Sequence, residues 1–511
     1  MAPAATAPKC PEIDADLKKN VDYLNGLLGV GQGPGHSWDI MAKPFGYGNL
    51  NMMSYVLNGY FLTMNMVLIL QEFEKHVIAF EAQQQGKSYT LSDLVLYLNR
   101  NIGFVQVQVI DKMQDVIRFI LSGPLVTFIE GFDKALLIDT RIYPMRSIQE
   151  SEVERVIRGP RDGFVETMLM NTALIRRRLR EPSLRAELMQ IGTRSKNDVT
   201  FMYLADVTNE ELVNQVRERL TSIDAEAITM AEQSVTDIIG RQWFNPYPCV
   251  RYTERPDVAA TALLEGHVVI VVDNSPEVII APITFFQLMQ NPEEYHSYPM
   301  IGTYLRWLTI TAVIVSTLLP GLFLLINYHP HSIPKELLFF KADNADPLPL
   351  WAELIVAEVA LDLLRMAVMN APVPIAAMVS IIAALVFGDM APKIQFLQPE
   401  VLVYMAIVMM AQFAVSSFEL ASANEMTRFW ILLTTQLGHT FGLSGWGLPF
   451  GIVTWIVFLA TRKSFGVPYL WPVIPFQWSH GLFEVLFRKP TTSGLGRPTA
   501  MGTKMRSKGK I

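Results

Sequence analysis

The sequence predicts two parts in different solvents: an α/β soluble N-terminal half of two subdomains, followed by an α-helical polytopic transmembrane domain of five or six spans. The chain has 511 residues, which is too long for one ordinary domain. Its hydrophobic share of 50% with a charged share of 18% lies on the membrane side of the average for soluble proteins. Apolar residues alternate with Arg, Glu and Asp before about residue 300, whereas long apolar stretches separated by short polar hinges follow Tyr304.

Period-two alternation and turn residues predict the elements of the first half. Residues 104–110 alternate, and residues 125–130 and 134–139 indicate two strands joined at Gly131. A second set of elements comprises a helix at 164–180 and strands at 199–205, 267–272 and 278–281. The predicted domains are a flexible N-terminal segment (1–45), a first cytoplasmic α/β subdomain (46–148), a second cytoplasmic α/β subdomain (149–300), a transmembrane helical domain (301–465) and a cytoplasmic basic C-terminal tail (466–511).

The apolar stretches of the second half give the number of spans. Residues 304–327 match the roughly 20 residues that a helix needs to cross a hydrocarbon core about 30 Å thick. Basic residues before the first span and after the last one place both termini on the cytoplasmic side. Further candidate spans lie at 350–369, 374–391, 400–421, 428–445 and 447–461. The sequence therefore predicts six spans, with five as the alternative.

Composition and motifs argue against several classes of protein. The formal net charge of -6 argues against a protein that binds nucleic acid, because phosphate binding favours a basic surface. Cys10 and Cys249 are too few and too far apart for a disulfide framework or a thiolate metal site. The glycines at 29–35 lack the spacing of a dinucleotide-binding loop, and the sequence contains no familiar catalytic motif. We therefore expect no enzyme activity, no cofactor, no metal site and no nucleic-acid partner.

Three charged residues in the second predicted span form a stripe on one helical face. Glu358, Asp362 and Arg365 recur at i, i+4 and i+7. A charge at bilayer depth costs at least about 2.5 to 3.5 kcal/mol, so the stripe should face a polar lumen, a partner helix or an opposite charge. Two interpretations follow: a charged ring around a pore formed by several copies, or an Asp362–Arg365 pair that closes a helix packing interface with Glu358. Glu419 is a further intramembrane candidate, for ion contact or for capping a broken helix.

Arginine residues are concentrated near the start of the second subdomain. They lie in a loop and at the end of an amphipathic helix, and the set is Arg155, Arg158, Arg161, Arg176, Arg177 and Arg178. Asp162 is a predicted N-cap, and arginine at a helix C-terminus complements the helix dipole. The alternatives are salt bridges between subunits and contact with anionic lipid headgroups. We favour structural roles or subunit contacts for this set.

The same region resembles a known family. Residues 150–180 read ESEVERVIRGPRDGFVETMLMNTALIRRRLR, which is similar to the signature stretch of the GerA-type spore germination A subunits. The similarity continues in shorter strings: YTERPD at 252–257, LLEG at 263–266, TFFQ at 284–287 and KSFGVPYL at 463–470. It covers about residues 100–475.

The resemblance implies a multi-pass protein of the spore inner membrane in an endospore-forming bacterium, with its α/β half in the spore core. It implies an oligomeric, pentameric channel that releases monovalent cations across the lipid bilayer and amplifies the germination response. A small membrane protein and nutrient germinant receptors are the implied partners. The resemblance favours the pore interpretation of Glu358, Asp362 and Arg365. The alternatives are the A subunit of a nutrient germinant receptor, and a membrane-anchored scaffold or sensor without a pore.

Overall fold

The structure is a computed structural model, and it describes residues 10–84, 87–103, 105–143, 154–240, 244–329, 341–342, 348–393, 396–490 and 496–505. The chain forms two compact units. The first, which we call the mixed unit, contains both helices and strands and comprises Met1–Arg241, Val250–Pro282 and Gly494–Ile511. The second, which we call the helical unit, comprises Gln242–Cys249 and Ile283–Ser493.

The first subdomain of the mixed unit is built on a five-stranded antiparallel sheet. Its elements are α1 (Leu17–Leu28), β1 (Ile40–Tyr47), β2 (Leu50–Leu57), α2 (Thr63–Gln84), α3 (Leu91–Asn101), β3 (Val107–Ile110), α4 (Met113–Ile120), β4 (Leu125–Ile129) and β5 (Ala135–Ile138). The strand order is β1-β2-β4-β5-β3, and these neighbours pair antiparallel. The two strands predicted around Gly131 are confirmed as β4 and β5. Their turn holds Gly131 at a φ of 86°, which glycine adopts without a steric penalty.

Both faces of this sheet are buried, which explains why β4 is apolar except for Thr127, whose hydroxyl hydrogen-bonds to that of Ser54. Val126 and Phe128 belong to a core shared with α1 and α4. Leu125 and Ile129 point to the opposite face, in a core shared with α2 and α3. The first subdomain therefore has three layers, with the sheet between two pairs of helices.

The second subdomain repeats this construction with another five-stranded antiparallel sheet. Its elements are α5 (Met168–Arg178), β6 (Leu184–Ile191), β7 (Asn197–Leu204), α6 (Glu210–Thr221), α7 (Ala231–Gly240), β8 (Arg251–Thr253), α8 (Pro256–Glu265), β9 (Val268–Val272) and β10 (Val278–Ala281). The strand order is β6-β7-β9-β10-β8. The helix and the three strands predicted here are confirmed, with ends that differ by a few residues.

The helical unit consists of helices with a small two-stranded hairpin near its end. Its elements are α9 (Phe285–Leu288), α10 (Pro292–His296), α11 (Pro299–Tyr328), α12 (Leu350–Asn370), α13 (Val373–Leu385), a π-helical turn (Val386–Met390), α14 (Ala391–Lys393), α15 (Pro399–Phe413), α16 (Phe418–Thr440), α17 (Ser444–Thr461), β11 (Lys463–Ser464), β12 (Val467–Pro468), a second π-helical turn (Trp478–Leu482) and α18 (Phe483–Leu486). The expected helical second half is confirmed.

Two of these helices, α11 and α17, are long and apolar enough to cross a membrane, judged over the residues that the structure describes. The helices α13 and α15 are apolar but shorter, and α12 and α16 are long but carry several charged residues. Two such helices support association with a membrane, and the count of five or six spans stays a prediction. The single segment predicted at 400–421 is wrong, because α15 ends at Phe413 and α16 begins at Phe418.

Candidate functional site

A buried ion pair joins α12 to α16 inside the helical unit. The Nε of Arg428, on α16, donates to Oε1 of Glu358, on α12, at 2.7 Å, and the Nη2 of Arg428 donates to the same oxygen. Both side chains are only 1% exposed. Because each charge is removed from solvent, the two depend on one another for compensation.

The same guanidinium also contacts α11 and α15. Nη1 of Arg428 donates to the carbonyl oxygen of Ser316 at 2.8 Å, and Nη2 donates to Oε1 of Gln412 at 3.1 Å. The Ser316 carbonyl would normally accept from the backbone N–H of residue 320, but that residue is Pro320, which has none. Arg428 therefore supplies the donor that the proline removes, and it links four helices at one point.

A second group of charged residues adjoins this pair. Arg365, on α12, lies 3.1 Å from Glu425 of α16 and 3.4 Å from Asp362 of its own helix. Nε2 of Gln412 donates to the same Glu425 oxygen at 2.9 Å. Gln412 thus bridges the two groups, since its amide oxygen accepts from Arg428 and its amide nitrogen donates to Glu425. We call the six residues the charged network: Glu358, Asp362, Arg365, Gln412, Glu425 and Arg428.

The charged network has more acidic than basic groups. It holds three carboxylates and two guanidinium groups, so its formal charge is one negative unit. One oxygen each from Glu358, Asp362 and Glu425 lie within 4.8 Å of one another, a spacing that suits cation contact. Oε2 of Glu358 and Oδ1 of Asp362 have no hydrogen-bond partner among the described residues. The arrangement favours cations over anions near it.

The sequence predicts the three charged residues that α12 contributes to this network and misses the two that α16 contributes. Glu358, Asp362 and Arg365 lie together on α12, as their spacing predicts. The predicted spans at 400–421 and 428–445 leave Glu425 between two segments and place Arg428 at a segment start, so neither residue stands out as an intramembrane charge. Their i, i+3 spacing inside an apolar helix carries the same signal as the α12 stripe.

Glu419 lies apart from the charged network, in the first turn of α16. Oγ of Ser417 donates to Oε2 of Glu419 at 2.8 Å and accepts from the backbone N–H of Leu420. An acid in the first turn complements the helix dipole. The cap of α16 is Ser417, and the two roles expected for Glu419, ion contact and the capping of a broken helix, stay predictions.

Glu353 is a further acid of α12, and it is fully buried. Its Oε2 accepts from the backbone N–H of Gln398 at 2.9 Å, at the start of α15. A carboxylate at a helix N-terminus satisfies a free donor and complements the dipole. Glu353 therefore fixes the packing of α12 against α15.

The helix-ending arginine residues of the mixed unit have separate partners. Arg176 is buried between the subdomains, where its Nε and Nη2 donate to the two carboxylate oxygens of Asp39 at 2.8 Å and 3.0 Å. Nη1 and Nη2 of Arg176 also donate to the carbonyl oxygen of Leu184. This guanidinium is therefore a link between the two subdomains within one chain.

Its two neighbours serve different contacts. Arg177 is exposed and lies over the ring of Tyr143 at 4.6 Å. Nη2 of Arg178 donates to both carboxylate oxygens of Asp162 at 2.5 Å and 2.6 Å. The predicted N-cap role of Asp162 is therefore wrong, because α5 begins after Thr167 and Asp162 holds Arg178 instead. The loop arginine residues lie on the surface and stay contact candidates: Arg155, Arg158 and Arg161.

Comparisons with known proteins all point to one family, that of spore germination proteins. The family described as "Bacillus/Clostridium GerA spore germination protein" matches residues 32–500. Stage V sporulation protein AF of Bacillus subtilis (strain 168) is 34% identical over 488 residues, which cover 96% of this chain and 95% of that protein. Spore germination protein KA of the same organism is 33% identical over 385 residues, covering 75% of this chain and 70% of that protein.

One solved structure is also similar to this chain. It is the N-terminal domain of the A subunit of the Bacillus megaterium spore germinant receptor GerK3, with 25% sequence identity. The match covers 54% of this chain and 98% of that chain, with a TM-score of 0.41.

Proposed function

Because this chain belongs to the Bacillus/Clostridium GerA family of spore germination proteins, we propose that it is a channel-forming subunit of the germination machinery. In this proposal it releases monovalent cations across the spore inner membrane and amplifies the germination response. It acts as a multi-pass homo-oligomer, a pentamer, with both termini in the cytoplasm. A small membrane protein and nutrient germinant receptors are its proposed partners.

The observation that supports this proposal is the negative formal charge of the charged network. Burying charge in a helical unit is costly, and an apolar core would hold the same helices together at no such cost. A network with one carboxylate in excess attracts cations, and the side chains of Asp362 and Glu425 are 19% and 14% exposed. In the proposal, these two side chains lie along the cation path, and Glu358 with Arg428 holds their helices in place.

A second candidate is a membrane-anchored scaffold or sensor without a pore. It is favoured by the fact that both arginine residues of the charged network find carboxylate partners within one chain. In this candidate the network only fixes α12, α15 and α16, and the mixed unit carries the function. The A subunit of a nutrient germinant receptor is the third candidate. This candidate would be favoured if spores that lack the protein lost the nutrient response itself, and if separate germinant-binding subunits co-purified with the protein.

Cation release from germinating spores separates the first two candidates. The double variant Asp362→Asn/Glu425→Gln changes the formal charge of the network from minus one to plus one. A potassium ion and one unit charge of the network about 8 Å away interact with an energy of about 2 kcal/mol at an effective dielectric constant of ~20. Because the double variant removes this attraction, the channel proposal expects potassium release to fall at least about tenfold. The matched control is Glu419→Gln, which keeps the network intact. Unchanged potassium release at an equal protein level would favour the scaffold.

A further inference from the structure

Helix α2, in the first subdomain, exposes an apolar face along its first half. Residues 63–71 contain no charged side chain. Met64, Val67 and Leu68 recur at i, i+3 and i+4 on one side of the helix, and they are 72%, 44% and 55% exposed. The opposite side of α2 packs into the core of the subdomain through Phe73. We call the three exposed residues the α2 patch, and a contiguous apolar surface of this kind is typical of an interaction site.

The second half of α2 is acidic. Residues 72–84 hold three glutamate residues and one lysine, which is a formal charge of minus two with histidine neutral. Glu72 and Glu74 are exposed directly after the α2 patch. A helix that binds a membrane surface carries cations around its apolar face and is attracted by anionic lipid. The charge of α2 therefore favours a protein partner with basic residues over a lipid surface.

A loop of the second subdomain has the complementary composition. Residues 155–161, which we call the arginine loop, hold three arginine residues and no acid, a formal charge of plus three. Ile157 lies between Arg155 and Arg158 and is 81% exposed. Both of these arginine side chains are exposed as well. The loop thus presents one apolar side chain flanked by two cations, which matches an apolar patch followed by two acids.

Side chains of the same subdomain hold the arginine loop at both ends. Nη1 of Arg255 donates to the carbonyl oxygen of Glu154 at 3.2 Å, and its Nη2 donates to the carbonyl oxygen of Pro160 at 3.3 Å. Nη2 of Arg251, on β8, donates to Oε1 of Glu154 at 2.8 Å. Because both ends are fixed, the loop presents Ile157 without the cost of ordering a free chain on binding.

We propose that the α2 patch of one protomer binds the arginine loop of a second copy of this chain. Ile157 packs on the patch, and the arginine residues that flank it face the acids that follow the patch. The two surfaces differ within one chain, so the contact is heterologous, which is the kind that forms rings. The patch is smaller than a stable interface requires, so the contact forms between copies that the membrane already holds together. The inference rests on the homo-oligomer of the proposed function, and it does not depend on cation transport.

Disulfide cross-linking between two differently tagged copies tests the contact in isolated membranes. The full-length protein carries Cys10→Ser, and the buried Cys249 stays. One copy carries Met64→Cys, and the other carries Ile157→Cys. Oxidation should link the two tags when both copies are expressed together. Each variant expressed alone should stay monomeric on a non-reducing gel.

The matched control uses Arg194→Cys in place of Ile157→Cys. Arg194 is 78% exposed and lies between β6 and β7, at the other edge of the sheet from β8, which holds the arginine loop. Met64→Cys with Arg194→Cys should give no linked product above background, because distant cysteines cannot be bridged. Equal linkage in this control, or no linkage between the Met64→Cys and Ile157→Cys copies, overturns the inference. A dimer of Met64→Cys copies alone overturns it too, since that product indicates a two-fold contact.

Potassium release by the same membranes separates this inference from the proposed function. Linkage without potassium release leaves the contact standing and contradicts the channel. Potassium release without linkage contradicts the contact alone.

Charge reversal distinguishes a second copy from a lipid surface as the partner of the arginine loop. Arg155→Glu/Arg158→Glu in the copy with the loop cysteine should lower the initial rate of cross-linking by about tenfold, because attractive pairs become repulsive. Glu72→Arg/Glu74→Arg in the other copy should restore the rate. If it restores nothing, and a fluorophore on Ile157→Cys is quenched by nitroxide-labelled lipid, the loop contacts lipid headgroups and the inference is wrong.

Discussion

Replacing Arg428 by methionine should strongly destabilise the helical unit. The substitution leaves the Glu358 carboxylate, which is 1% exposed, without its counter-ion. It also removes the donors to the Ser316 carbonyl and to Gln412. Loss of one partner of a buried ion pair costs about 3 to 5 kcal/mol, which is a factor of roughly one hundred to several thousand in the folding equilibrium.

A change at Glu358, the other partner of the ion pair, should cost less. Glu358→Gln leaves the buried guanidinium of Arg428 without its carboxylate, but it keeps an oxygen that accepts from Arg428. The guanidinium also retains its two contacts to Ser316 and Gln412. We expect a loss of about 1 to 3 kcal/mol. The double variant Glu358→Gln/Arg428→Met has no unpaired charge, so it should be more stable than Arg428→Met alone.

Unfolding of the purified protein in mixed micelles, by graded addition of a denaturing detergent, measures this double-mutant cycle. We expect a coupling free energy of at least about 1 kcal/mol between the two positions. If the two single changes cost the same and add in the double variant, the pair contributes nothing specific and the reasoning about the charged network is wrong.

Three further predictions concern other contacts. Arg176→Met should lower the free energy of unfolding by about 3 to 5 kcal/mol and raise hydrogen exchange where the two subdomains meet. The control Arg177→Met should lower it by less than about 1 kcal/mol. Equal effects of the two changes would contradict the link between subdomains. Gly447→Ala should lower stability by about 1 to 3 kcal/mol in the detergent titration, because its Cβ would lie 2.6 Å from a backbone oxygen of α16. The control Gly445→Ala has open space around it and should be neutral or slightly stabilising. Glu353→Ala should raise exchange at the amide of Gln398, the residue before α15, by about tenfold, and unchanged exchange would contradict the contact's role at this helix end.

The elements that the sequence predicts well are those with a clear local pattern, either an apolar run bounded by a turn residue or charges at helical spacing. Strands β4 and β5 are short apolar runs separated by Gly131, and their turn needs the left-handed backbone that glycine permits. The stripe on α12 is likewise predictable, because three charges at helical spacing stand out in an apolar segment.

Tertiary partners could not be predicted in the same way. Asp39 and Arg176 are 137 residues apart, so nothing local indicates that the arginine run begins with a link between subdomains. The sequence offers a broken helix near Glu419 only as one of two alternatives. The stretch has no glycine or proline, and Ser417 acts as a cap only through its contact with Leu420. The sequence shows that Pro320 leaves the Ser316 carbonyl without its helical donor. Only the structure shows that Arg428 supplies the donor in its place.

The central claim is that the charged network borders a path for cations. The most direct test is the reversal potential of the purified protein in a planar lipid bilayer, under a gradient of potassium chloride, alone and with its germination partners. We expect conductance with a reversal potential close to that of potassium, shifted toward that of chloride in Asp362→Asn/Glu425→Gln and unchanged in Glu419→Gln. No conductance with or without partners, or the same selectivity in all three proteins, would contradict it.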